Sequence, residues 1–167
     1  MAKKKKFEVK QRKRRTQEPV PASGMPVCIA ALFCEQVVIG GDQRLTLVNT
    51  LDTINLPPSI HNPGEAIEIA GARLVILLKR ADAVGVHELE VSYVSESGDV
   101  DPVGLLQPSF PSNDPPETGY NYYAPIRMFW RGSGLYWLQI RHGKKLLAKS
   151  ALRLRMAPDP LSGKIPG

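Results

Sequence analysis

Nine of the first fifteen residues are cations. Lys3, Lys4, Lys5, Lys6, Lys10, Arg12, Lys13, Arg14 and Arg15 stand against Glu8 alone. The rest of the chain holds thirteen basic and fifteen acidic side chains, so the net charge of +6 belongs to this stretch. Clustered Lys and Arg neutralise phosphates and release counterions, which gives weak, strongly salt-dependent affinity for polyanions. Residues 3–15 are therefore expected to bind nucleic acid or another polyanion. The competing reading is a solvated tail that aids solubility.

A second group lies near the other end. Alternation over Gly134–Arg141 points Tyr136, Leu138 and Ile140 to one side and Leu135, Trp137, Gln139 and Arg141 to the other. The next alternating run adds Lys149, Arg153 and Arg155 to that second side. Trp and Arg side chains dominate protein interfaces, so Trp137, Arg141, Arg153 and Arg155 form an expected protein-contact patch. The competing reading is that residues 99–125, with their own aromatics, or a partner chain cover Trp137.

Catalytic constellations are not found. Gly143-Lys144 has Leu138 where a phosphate loop needs a glycine, and Gly132-Ser133-Gly134 lacks the strand–helix setting of a nucleophile elbow and reads as a hairpin turn. His61, His87 and His142 are far apart in sequence and read as lone surface histidines. Asp99, Asp101 and Asp114 lack the glycine and distal glutamate of a calcium loop. No catalytic residue, metal ligand or cofactor is assigned, and the chain is read as non-enzymatic.

The elements that would carry these groups are strands. Fifteen prolines and fourteen glycines in 167 residues favour turns over long helices. Residues 27–39 and 45–51 flank Gly40-Gly41-Asp42-Gln43 as a hairpin, with Leu45, Leu47 and Leu51 on one face. Asn55–Glu65 reads as a loop. Ile67 to Arg80 is the most hydrophobic piece, and within it Leu74–Leu78 is apolar on both faces, as a central strand is, with a short buried helix as the rival reading. Val86–Val94 alternates as one strand, with Leu89, Val91 and Tyr93 inward. Six prolines across 99–125 predict a long irregular loop. Strands over Ile126–Trp130, Leu135–Arg141 and Leu147–Met156 follow, the last two joined by a tight turn at His142–Lys145. The whole predicts an all-β antiparallel sandwich of about seven strands. Residues 1–24 are expected to be a disordered basic arm with a Pro-rich spacer, 25–157 the sandwich and 158–167 a tail.

No apolar run reaches the length of a membrane span. A secretory signal is argued against by Pro26 abutting the apolar run 27–33 and by Glu35 after it. Cys28 and Cys34 are expected on one face of a straight strand roughly 20 Å apart, too far for a disulfide. Buried free thiols suit a reducing, cytoplasmic setting.

Two stretches carry a resemblance. Leu32–Ile39 with its Gly-rich turn and Leu45–Ile54, together with Gly134–Gly143 running on to Leu147, resemble a family of uncharacterised bacterial domains that open on a Cys-Asp/Glu strand hairpin and close on a Gly-x-Tyr strand. The resemblance spans roughly residues 27–156 and implies an immunoglobulin-like sandwich, with no activity or catalytic residue attached. The expectation is an interaction module with a polycationic arm. The alternatives are a nucleic-acid-associated accessory protein anchored by that arm and a self-assembling structural subunit. The sequence leaves the oligomeric state open.

Overall fold

The computed structural model describes residues 22–42, 44–57 and 62–157. The nine arm cations, His61, Gln43 and the tail from residue 158 lie outside the described residues.

Every regular element in the described chain is a strand. In order they are β1 (Val27–Ile39), β2 (Leu45–Leu51), β3 (Thr53–Leu56), β4 (Ala66–Lys79), β5 (Gly85–Val86), β6 (Leu89–Ser95), β7 (Val100–Leu106), β8 (Ser109–Phe110), β9 (Gly119–Phe129), β10 (Gly134–His142) and β11 (Lys145–Met156). One sheet has the order β2-β1-β4-β9 and the other β3-β11-β10-β6-β7, with β5-β8 as a small side sheet. All pairings are antiparallel except β3 with β11, which is parallel.

Alternation puts one apolar side chain in two between the sheets. Phe33, Leu74, Ile76, Leu78, Ile126 and Met128 from the first sheet meet Leu89, Val91, Tyr93, Tyr136, Leu138, Ile140, Leu152 and Leu154 from the second. The Phe33 and Tyr93 rings stack across this interface with centroids 6.3 Å apart. Truncating any one of the fully buried leucines to alanine costs about 2–5 kcal/mol, because the lost contacts leave a cavity.

Several sequence expectations are corrected. Residues 99–125 hold β7, β8 and the first half of β9. The strands form there because Pro102 and Pro125 lie in β7 and β9, each the outermost strand of its sheet, where a missing N–H need not break a ladder. Pro111, Pro115 and Pro116 lie in the turn between β8 and β9. Arg80 ties that turn to the body by donating from its guanidinium to the Ser112 and Asp114 carbonyls. Residues 53–56, partly assigned to a loop, form β3 beside β11. The expected single strand Val86–Val94 is split at His87, whose backbone N–H donates to the Pro108 carbonyl instead of to a neighbouring strand. Gly132-Ser133-Gly134 carries the chain from one sheet to the other, from β9 to β10, instead of turning a hairpin.

Two more corrections follow from local backbone geometry. A bulge between Cys28 and Ala30 shifts the β1 register by one residue. Cys28 therefore packs toward the core while Cys34 is buried on the outer side of the sheet, so the two thiols occupy opposite faces. Ser23, assigned to the spacer, pairs with Val84 through two backbone hydrogen bonds. Gly24 makes this possible: its φ is +68°, and a Cβ there would collide with the Asp82 carbonyl.

Candidate functional site

The expected contact patch is assembled by the β10–β11 hairpin. Trp137 lies in register with Ala151 on one side and Val94 on the other, and Gln139 with Lys149. Their side chains share the outer face of the second sheet, together with Arg153 opposite Leu135 and Arg155 further along β11. Trp137 is half-buried, with the Lys149 ammonium 4.7 Å above its ring centroid. Arg141 donates to the Gln139 side chain and to the Lys144 carbonyl. Among the described residues, none of Arg141, Lys149, Arg153 and Arg155 forms an ion pair. The aromatics expected to cover Trp137 are engaged elsewhere. Phe110, Tyr120 and Tyr122 pack on the core, and Tyr123 pairs with Val75 in the opposite sheet.

The histidines are placed differently from the expectation of lone surface groups. His87 is buried, and its Nδ1 lies 3.3 Å from Nε2 of His142. His87 Nε2 lies 3.1 Å from the Val84 carbonyl, which can only accept. That fixes the tautomer by elimination: His87 donates from Nε2, and its Nδ1 accepts from His142. Burial lowers the His87 pKa below its ordinary value; the neighbouring His142 adds to this, while the Val84 hydrogen bond and Asp82 oppose it.

The three aspartates do not converge. Asp99 accepts from Ser97 and Ser95, and the Ser97 bond first of all holds its carboxyl below the ordinary range. Asp101 is buried and paired with Arg131 at 3.0 Å. Asp114 lies in the turn held by Arg80. Among the described residues no three His, Cys, Asp or Glu side chains are grouped to hold a metal ion.

A cleft that sequence reasoning missed opens between the free edges of β7 and β9. It measures about 400 Å³, and the residues around it include Asp101, Pro102, Val103, Tyr122, Pro125 and Arg127. A smaller hollow beside it shares Val103 and Tyr122. The Tyr93 ring is 1% exposed, and its hydroxyl has no hydrogen-bond partner among the described residues. Burial raises the Tyr93 pKa, so the group stays a neutral phenol. Nothing in the alternation of Leu89–Tyr93 separates this tyrosine from an ordinary core residue.

One further feature is diagnostic. The Tyr136 hydroxyl, near the start of β10, donates to the Gly132 carbonyl at 2.8 Å and accepts from the Arg131 N–H at 3.0 Å. A tyrosine so placed, with β1, β4 and β9 facing β6, β10 and β11, is the tyrosine corner of an immunoglobulin-like sandwich. Leu138, two residues on and fully buried, stands where antibody domains carry a disulfide cysteine. The chain is thus an immunoglobulin-like β-sandwich domain. It is similar to an immunoglobulin-like protein of Pseudomonas aeruginosa at 11% identity and a TM-score of 0.39, over 79% of this chain and 98% of that one. No family model and no curated protein matches it.

Proposed function

We propose that this chain is a non-enzymatic interaction module: a sandwich that contacts a protein partner, with residues 3–15 as a polycationic arm for nucleic acid or another polyanion. The observation that carries the reading is the segregation of charge. Nine cations precede residue 16, while the remaining chain is slightly acidic. Such an arm approaches a polyanion without the near-neutral body opposing it. The outward Trp137, with Arg141, Arg153 and Arg155 beside it, supports a protein contact on the opposite end of the chain's sequence. The opening hairpin and closing Gly-x-Tyr strand support kinship with uncharacterised bacterial sandwich domains, and two free thiols support a reducing, cytoplasmic setting.

The test is binding of a generic DNA duplex across a salt series, by the full chain and by a full chain with the nine arm cations replaced by glutamine. The expected result is a steep loss of affinity with salt for the native chain and a nearly flat dependence for the neutralised one. Each phosphate contact contributes a slope of about −0.9 in log affinity against log salt. Equal slopes for both proteins reject the arm as the anchor and leave the Trp137 face as the contact surface to pursue. Large particles in the native preparation would favour the structural-subunit alternative.

A further inference from the structure

One sheet edge lacks the protection the others have. β3 is only four residues long, β2 holds Asn49 at a φ of +50°, outside the strand region, and β7 contains Pro102 and a register shift against β6. Shortness, bends and prolines keep an edge from pairing with another chain. β9 runs for eleven residues, and its first part, Gly119-Tyr120-Asn121-Tyr122-Tyr123-Ala124, holds no proline, no charge and no register shift. Tyrosine is also among the residues that favour strands.

The ladder fixes which backbone groups this edge offers. The Arg80 N–H donates to the Thr118 carbonyl, one register step beyond the facing pair Lys79 and Gly119. Facing pairs in an antiparallel ladder alternate between exchanging hydrogen bonds and not. Tyr120, Tyr122 and Ala124 therefore bond to β4, while Gly119, Asn121 and Tyr123 turn their N–H and carbonyl groups away from it. Pro125 falls in the second set, where its missing N–H leaves the ladder intact. β9 is the outermost strand of its sheet, so the outward groups face no other strand. Gly119, Asn121 and Tyr123 are all exposed, Tyr123 at 44%.

This segment also matches itself when reversed. An antiparallel pairing centred on Asn121 sets Asn121 against the second copy's Asn121, Tyr120 against its Tyr122 and Gly119 against its Tyr123. Asn121 with itself and Gly119 with Tyr123 are outward-turned, so each such pair exchanges both of its backbone hydrogen bonds. Tyr120 and Tyr122 are half-buried, and aromatic cross-strand pairs stabilise a sheet. A Tyr123 ring opposite a glycine has room to lie over the bare backbone. We propose that the β9 edge is a two-fold contact with a second copy of this chain, joining two four-stranded sheets into one through residues 119–123. A single strand pair lies at the small end of protein interfaces, so the dimer is a transient one. The contact uses neither residues 3–15 nor the Trp137 face, so it stands or falls separately from the interaction-module reading.

The test is sedimentation of the full chain over a wide concentration range, in salt that screens repulsion between the cationic N-termini, with amide hydrogen exchange at both ends of the range. The expected result is a monomer–dimer equilibrium. The Gly119, Asn121 and Tyr123 amides should be protected only at high concentration, and those of Tyr120 and Tyr122 throughout. Asn121→Lys and Asn121→Asp change an exposed side chain and put like charges against each other at the two-fold centre. Each alone should weaken dimerisation at least about tenfold, and mixing the two in equal amounts should restore it. A chain that stays monomeric at every concentration overturns the proposal and leaves the edge to an extended segment of another protein. A dimer whose outward amides stay unprotected, charged variants that dimerise like wild type, or a mixture that stays dissociated overturns it as well.

Discussion

The Tyr136 hydroxyl bridges the two ends of its own corner, accepting from the Arg131 N–H and donating to the Gly132 carbonyl. This is the point where the chain leaves β9 and enters β10 in the facing sheet. Tyr136→Phe keeps the buried ring but strands both backbone groups. It should cost about 1–3 kcal/mol, read as a lower denaturant midpoint with an unchanged slope.

Tyr93→Phe should behave in the opposite way. It removes a hydroxyl with no partner and keeps the ring that stacks on Phe33. The variant should match or exceed wild-type stability in the same denaturant titration. A loss as large as that of Tyr136→Phe would mean that the Tyr93 hydroxyl is satisfied in the folded protein.

Acid should loosen the contact between the β5–β6 link and the β10–β11 hairpin. The folded His87 pKa is depressed below the ordinary value of 6.5, chiefly by burial. The unfolded chain therefore binds the proton more readily, and the His87 contribution to stability is fully present above pH 6.5 and lost as pH falls through the folded value. Protonated His87 would also turn an N–H toward His142, removing the acceptor of their bond. Denaturant midpoints should fall from pH 7.5 to pH 5, and His87→Gln should reduce that slope. An identical pH dependence in the variant would rule out His87 as a source.

The two thiols should be slow toward an aromatic disulfide reagent at pH 8. Desolvation raises the pKa of both Cys28 and Cys34, and the thiolate is the reactive form. Cys34 is fully shielded from solvent. Two thiols should titrate promptly in denaturant and far more slowly in the native protein. Mass spectrometry should find no bond between them, because the β1 bulge sends them to opposite faces.

The faces of the strands were legible where alternation was uninterrupted. Leu89, Val91 and Tyr93 are buried, as read, and Tyr136, Leu138 and Ile140 share one face, the buried one. Period-two burial is a local property, so a local pattern suffices to read it. The shared outer face of Trp137 and Arg153 was legible for the same reason, since it is the face opposite the core. Residues 99–125 were misread because proline's effect on a strand depends on whether that strand has one neighbour or two. The one-residue bulge at Cys28 likewise inverts a face without any change in the pattern downstream.

The sequence by itself determined which side of the uninterrupted strands seeks the core, where Gly40-Gly41 and Gly143 permit turns, and how sharply charge is divided between residues 3–15 and the rest. These depend on each residue and its near neighbours. Only the tertiary structure decided the sheet order, and with it the free edges of β7 and β9, the cleft between those edges and the parallel pairing of β3 with β11. It alone brought His87 to His142 and Arg131 to Asp101, across 55 and 30 residues of chain. Such contacts are set by which strands pair, and pairing is a property of the whole chain that no single segment encodes.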